Sequence, residues 1–373
     1  MRVVIVNCFD TYEDRIDLLH DFFISKGYNV TVIQSDFRHF KKTKRVLQKQ
    51  DFIFVDSKPY YKNMSADRMI SHYSFAKKAF KLVENYKPDL IYAIVPPNSI
   101  AKFAAQYKKR HREVKLIFDL IDLWTETMPI GKIKEYPPFS FWKALRDKNL
   151  KYSDQIITEC DLYQEVLKEQ LVNIKADTLY LAKREAEIEY KPKFNKEQIN
   201  LCYLGSINNI IDISKIKELV KSINLIKPVT LHIIGDGESK DILLEEVKST
   251  GATVKFYGKI YDAQKKQEIF DKCEFGLNIM KDTVCVGLTM KSIDYFQAGL
   301  PIINTIESDT ERIVEKYNIG LNLIDSSVED IANRVCNFSL EELIVIRKNT
   351  KNVFNELFSV KAFESKLEKI LKF

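Results

Sequence analysis

The chain has 373 residues, more than the roughly 100–200 typical of one domain, so two domains are expected. It is 45% hydrophobic and 29% charged, which suits packed cores and excludes a largely disordered chain. Lys and Arg number 58 against 52 Asp and Glu, and the excess lies entirely before residue 190, where 32 basic side chains face 26 acidic ones; the remainder carries 26 of each. Six scattered cysteines (Cys8, Cys160, Cys202, Cys273, Cys285, Cys336) form no CxxC pair, and the five histidines form no HxH or HxxxH group, so neither a disulfide framework nor a metal site is expected. No apolar run approaches the roughly 18 residues of a membrane span, and MRVVIVNCF has no cleavable-signal pattern. A cytoplasmic, soluble protein is expected.

In chain order, the first half alternates short apolar runs with amphipathic stretches. The runs are RVVIVN (2–7), NVTVIQ (29–34), DFIFVD (51–56), DLIYAIV (89–95), VKLIFDLID (114–122) and DQIITEC (154–160). Helices are predicted over Asp14 to Ile24, Arg68 to Val83 and Ser99 to Lys108. The second half repeats the pattern with INLCYL (199–204), VTLHII (229–234), TVKFY (253–257), CEFGLNI (273–279) and LPIIN (300–304), and with helices over Ser214 to Asn224 and Lys240 to Lys248. Continuous apolar strands between helices mean parallel sheets covered on both faces. The expected fold class is therefore α/β with two doubly wound, Rossmann-like domains. The polar seam KREAEIEYKPKFNKE (183–197) suggests domains over 1–185 and 196–354, and residues 340–373 read as helical throughout.

Nine of the eleven glycines lie at or after Gly205, so the more demanding backbone belongs to the second half. Gly205 with Ser206, and Gly235 with Gly237, follow predicted strands at the ends where doubly wound sheets bind ligands. Each is read either as a phosphate-contacting turn or as a plain tight turn. In CVGLTMKSIDYFQAGLPIIN (285–304), Gly287 precedes a helix starting near Thr289, and Gly299 with Pro301 stops it. Free N–H groups around Leu288, Thr289 and Met290 can hold a diphosphate. Lys291 sits at the cation-disfavoured end of this helix, a conflict that a bound anion resolves. Asp294, three residues on, can accept hydrogen bonds from a ribose diol; the alternative is a plain Lys291–Asp294 surface pair.

The run GLTMKSIDYFQAGLPII resembles the donor-helix signature of family 4 glycosyltransferases, which are retaining enzymes of the GT-B fold, with the match on Gly287, Lys291, Asp294, Tyr295, Gly299 and Pro301. IIGDGE and VKFYGKI precede it in the family's order, which adds Tyr257 and Lys259 as donor-side candidates. FDLIDLWTETMP resembles the family's D-x-x-D-L-W-P-E stretch. It marks Asp122 as a catalytic candidate beside Lys291, and Asp119 and Glu126 as acceptor contacts; Glu13 and Arg15 in the first loop join them. The sequence departs from the family at Val286, where a first Glu is usual, at Ser206-Ile207-Asn208, which lack the usual Arg and Lys, at CFDTYEDR (8–15) in place of a Gly-Gly loop, and at Ile121.

The resemblance implies a GT-B fold whose C-terminal helix, about 355–373, crosses back to the first domain. It also implies transfer of a sugar from a nucleoside diphosphate, expected to be UDP, to a cell-surface glycan or lipid-linked acceptor. No cofactor is expected, and with no Asp-x-Asp triplet in a plausible donor loop and no histidine cluster, no metal either. The alternatives are a non-catalytic partner subunit and a GT-B nucleotide-sugar epimerase. The basic runs 37–50 and 107–112 lack the interleaved stacking residues of a single-strand binder, so nucleic acid is not expected. An anionic membrane surface at the inner membrane face is the functional alternative to a solvated loop.

Overall fold

Strands rich in Val, Ile and Phe, buried along most of their length, need cover on both faces, and helices supply it. The computed structural model describes every residue except Leu47, Pro129, Ala186, Glu187, Glu189, Lys196 and Phe373. Part of the expected seam, and Lys196 at the expected start of the second domain, thus lie outside the described residues. The chain divides into two compact units, Met1–Leu181 with Glu364–Phe373, and Ala182–Phe363.

The first unit holds β1 (Arg2–Asn7), β2 (Asn29–Ser35), a small hairpin of β3 (Phe37–Arg38) and β4 (Thr43–Lys44), β5 (Phe52–Val55), β6 (Leu90–Val95), β7 (Lys115–Leu120), β8 (Gln155–Thr158) and β9 (Ala176–Thr178). Its main sheet has the order β5-β2-β1-β6-β7-β8-β9, with every neighbour parallel. Its helices are α1 (Glu13–Ser25), α2 (Ala66–Tyr86), α3 (Asn98–Arg110), α4 (Phe139–Leu150) and α5 (Asp161–Val166). Strand β6, LIYAIV, is buried at every position, and the core gathers Phe75, Phe80, Phe118 and Trp142 around it.

The second unit holds β10 (Ile199–Ser206), β11 (Val229–Asp236), β12 (Thr253–Gly258), β13 (Phe275–Asn278), β14 (Ile302–Asn304) and β15 (Gly320–Asn322) in the parallel order β12-β11-β10-β13-β14-β15. Around it lie α6 (Ile213–Asn224), α7 (Lys240–Lys248), α8 (Ala263–Phe270), α9 (Met290–Gln297), α10 (Asp309–Tyr317), α11 (Val328–Asn337) and α12 (Leu340–Val353); α13 (Val360–Leu371) begins here and ends in the first unit. The strand order reverses between β1 and β6 in one sheet and between β10 and β13 in the other. Each reversal opens a crevice at the strands' C-terminal ends, the ligand position of doubly wound sheets.

Two details depart from the sequence reading. The C-terminal stretch is not one helix: Ser359 leaves helical geometry to form a parallel bridge with Lys183, and the segment grouped with the first unit begins at Glu364 rather than near 355. The three-residue strands β9 and β15 are additional to the expected runs, because so short a run shows no period. Among the described residues, no helix is long and apolar enough to cross a membrane.

Candidate functional site

The second unit's crevice is built around the start of α9. Thr289 is the N-cap: its Oγ1 accepts from Ser292 N at 3.2 Å and donates to Asn278 Oδ1 at 3.1 Å, fastening the helix start to the end of β13. Gly287 is fixed from behind, its carbonyl accepting from Thr310 N (3.0 Å) and Thr310 Oγ1 (2.6 Å), and Leu288 turns its side chain into the core. Among the described residues, the backbone N–H groups of Leu288, Thr289, Met290 and Lys291 have no acceptor. Such a row of donors at a helix N-terminus binds anions.

Lys291 joins that row. Its Cδ lies 4.0 Å from where a side chain on Gly205 would begin, and its Nζ lies 5.1 Å from the Tyr203 ring centre. Among the described residues no carboxylate pairs with it. Although the side chain keeps partial exposure, the protein around the ammonium strips away enough water to lower its pKa to about 8. Among the described residues, this start of α9 thus offers four free N–H groups and an unpaired, partly desolvated cation, a combination that can take an anion.

Asp294 is not its partner. Its carboxylate pairs with Lys183, and Gln297 one turn later donates to the Arg184 carbonyl at 2.8 Å, so the 183–184 segment lies on that face of α9. The expected alternative of a Lys291–Asp294 surface pair is therefore overturned. For Asp294 to hold a ribose diol, it must do so while sharing its carboxylate with Lys183. Tyr295 belongs to the core: its hydroxyl accepts from Leu204 N at 2.7 Å and donates to Cys202 O at 3.1 Å, tying α9 to β10.

The remaining donor-side candidates divide. Gly205 and Ser206 end β10 beside Lys291, but Gly235 and Gly237 are explained by packing. A Cβ on Gly235 would fall 1.9 Å from Gly205 O, and one on Gly237 2.2 Å from Ile207 O. Tyr257 bonds to His232 Nδ1 at 2.9 Å and stacks on its ring, while burial lowers the His232 pKa to about 4 and keeps that imidazole neutral. Lys259 is exposed, 4.0 Å from Asp236.

In the first unit two acceptor candidates are corrected. Arg15 and Asp119 bury one another: Nε and Nη2 reach the two carboxylate oxygens at 2.7 and 2.9 Å, Tyr92 donates to Asp119 at 2.9 Å, and Arg15 Nη1 reaches the Leu179 carbonyl at 3.1 Å. The side chains are 2% and 0% exposed, so the pair is structural; a buried carboxylate at a strand end needed a partner and found one in α1. Glu13 pairs with Arg45. Glu126 pairs with Arg146 at 2.7 Å; burial alone would raise its pKa, but the Arg146 hydrogen bonds and charge outweigh it and hold the carboxyl below its usual range.

Asp122 follows β7 and is partly exposed. It accepts from Trp124 Nε1 (3.0 Å) and Thr127 Oγ1 (2.7 Å), and burial, only partly offset by these bonds, raises its pKa. Beside it the structure brings together residues that no motif marked: Arg68 over Trp124, and a chain from His72 through Tyr60 to His39. Arg68 and His72 lie within the helix expected over Arg68 to Val83, and Tyr60 and His39 in irregular segments, and neither setting marks them as a site.

Among the described residues there is no cluster of His, Cys, Asp and Glu able to hold a metal ion. Residues 198–339 match the family model for group 1 glycosyl transferases. No curated protein matches the chain. Sucrose-phosphate synthase from Thermosynechococcus elongatus superposes with a TM-score of 0.73 at 12% identity, over 100% of this chain and 98% of that one. HepE of Anabaena, in complex with UDP and glucose, gives 0.66 at 15% identity over 100% and 99%. The lipopolysaccharide outer core galactosyltransferase WaaB in its apo form gives 0.69 at 12% over 100% and 99%. The two parallel-sheet units and these likenesses define a GT-B fold, as expected from the sequence.

Proposed function

We propose that this chain, whose residues 198–339 match the group 1 glycosyl transferase model, moves a sugar from UDP to a cell-surface glycan or lipid-linked acceptor as a retaining family 4 enzyme. The observation that carries the reading is the α9 start, where four unpartnered N–H groups and the unpaired Lys291 meet at the strand-order reversal of the second sheet. A neighbour of the same fold binds UDP and glucose, which favours a uridine diphosphate sugar as the occupant.

The chemistry follows from that charge arrangement. The bond between the anomeric carbon and the diphosphate oxygen breaks, its electron pair stays on the phosphate, and Lys291 with the α9 N–H groups stabilises the growing negative charge. The acceptor hydroxyl attacks on the face the diphosphate leaves, and its proton passes to the departing phosphate oxygen. Val286 stands where the family's Glu is usual, and no protein base is assigned. The positive groups at α9 do the work a metal would otherwise do, so transfer is expected to persist in excess chelator.

Titration calorimetry with UDP tests the donor site. Binding that Lys291→Ala weakens at least tenfold supports it; UDP affinity equal in the two proteins overturns it.

Membrane docking belongs to the same reading. The 37–50 run is less available than its sequence suggests, because Lys44 pairs with Asp36 and Asp56, Arg45 with Glu13, and Lys49 with Asp17. A groove along α3 and α4, lined by Lys102, Lys109, Lys148, Lys151 and the exposed Phe141, is the better anionic-lipid surface. Sedimentation with anionic but not neutral vesicles, reduced when those lysines become Gln, is the expected result; equal sedimentation with both overturns it.

A further inference from the structure

We infer that Arg68 forms an anion-recognition subsite in the first unit, reading a phosphate or carboxylate carried by the saccharide acceptor. The inference deepens the transferase reading above and rests on it for the word acceptor.

Arg68 stands in the first turn of α2, its N–H capped by Ser65 Oγ at 3.2 Å. Its guanidinium carbon lies 4.1 Å from the Trp124 ring centre and 5.9 Å from those of Phe9 and Tyr60. Phe9 follows β1 and Trp124 follows β7, so the guanidinium is held at the C-terminal ends of the sheet, the ligand edge of a doubly wound fold. Lying over the Trp124 ring, the guanidinium is held by attraction to the ring's electrons rather than by a counter-charge.

The guanidinium is under-used. Nη1 donates to the Asn63 carbonyl at 2.9 Å, the Tyr60 hydroxyl is the one other side-chain partner among the described residues, and Nε is buried without a hydrogen-bond partner. No carboxylate among the described residues lies within ion-pair distance. A partly desolvated arginine without a counter-ion is costly unless something supplies one. The two carboxylates nearby are otherwise held: Asp10 accepts from the His39 and Phe40 N–H groups at 2.8 and 3.2 Å, and Asp122 from Trp124 and Thr127.

The surroundings add a second positive group and a rigid wall. Lys42 Nζ lies 4.9 Å from the Tyr60 ring centre and, among the described residues, bonds only the neutral amide oxygen of Asn63, at 3.0 Å. The Tyr60 hydroxyl links His39 Nδ1 (2.7 Å) to His72 Nε2 (3.0 Å). Burial, reinforced by Arg68 and Lys42, drives the His39 pKa down to about 3 and that of His72 well below its usual value. Both imidazoles are thus neutral, and the positive charge sits on Arg68 and Lys42. The rings are themselves buried and hold the guanidinium in place, so Arg68 and Lys42 are the groups left to meet the anionic group of a sugar.

The test compares binding of glucuronate, glucose 1-phosphate, inorganic phosphate and glucose to the full chain, with excess UDP present to occupy the donor site. The same series in Lys291→Met serves if UDP does not bind, so loss of the donor reading and loss of this one are distinguishable. The expected result is that at least one anionic sugar binds tenfold or more tightly than glucose. Arg68→Gln should abolish that preference while leaving UDP affinity unchanged, and Arg68→Lys should retain part of it. A merely structural arginine predicts a lower melting temperature with the anionic preference intact, and that outcome overturns the proposal. So does equal binding of glucose, or binding of inorganic phosphate as tight as that of every anionic sugar. Absence of anionic-sugar binding at millimolar concentration also overturns it.

Discussion

Replacing Lys291 by Met removes an ammonium that the fold desolvates without pairing, so the variant should be more stable and yet unable to hold UDP. The fall of the Lys291 pKa from 10.5 to about 8 corresponds to roughly 3 kcal/mol, at about 1.4 kcal/mol per pH unit. The side chain is partly exposed, and solvent screening reduces the gain on removal to about 1–2 kcal/mol. A lysine whose folded pKa lies below its unfolded one penalises folding fully below the folded value and not at all above the unfolded one. The gain should therefore be complete at pH 7, shrink from about pH 8, and vanish near pH 10.5. Scanning calorimetry of both proteins across that range is the assay, with about 2–4 °C of melting temperature expected per kcal/mol for a unit of this size. Titration calorimetry at pH 7 should show UDP binding lost or at least tenfold weaker. Greater stability with unchanged UDP affinity, or lower stability at every pH, would refute the reasoning.

Other outcomes follow from the same geometry. UDP binding near pH 8 should take up about half a proton per site, because the diphosphate restores the charge on Lys291; calorimetry in buffers of different ionisation enthalpy reads this directly. Asp294→Asn should weaken UDP binding by about 1.5–3 kcal/mol if the carboxylate holds the ribose, and unaltered affinity assigns it to Lys183 alone. Asp119→Asn leaves Arg15 buried without its counter-charge and should cost about 3–5 kcal/mol of stability in denaturant melts, with UDP affinity untouched. Burial raises the Glu274 pKa to about 7, against Asn200 N at 2.5 Å, so the folded chain holds a proton there that the unfolded chain has lost between about pH 4.5 and 7. Stability should fall as pH rises through that window, and Glu274→Gln should flatten the fall in thermal melts.

Much of the fold was readable because its signals are local and repeated. β1 spans the residues of RVVIVN, and α7 begins and ends at Lys240 and Lys248 as the pattern requires. The start of α9 was readable for the same reason: Thr289 caps, Gly287 precedes, and Gly299 stops, all within one segment. What escaped depends on partners far away in sequence. Nothing near Asp294 announces Lys183, 111 residues earlier, and nothing near Asp119 announces Arg15, 104 residues away. The same holds for Gly235, whose missing side chain makes room for the Gly205 carbonyl rather than for a ligand. Arg68 lay inside an ordinary amphipathic pattern, and only the rings brought to it from the ends of β1 and β7 distinguish it.

The claim that the α9 start drives sugar transfer is tested most directly by incubating the full chain with a panel of UDP-sugars and measuring UDP released, with and without excess chelator. The account predicts release from at least one donor, undiminished by chelator and reduced about 10²–10³-fold in Lys291→Ala, the scale for losing one group that stabilises transition-state charge. Release from no donor, or release that Lys291→Ala leaves unchanged, would contradict it.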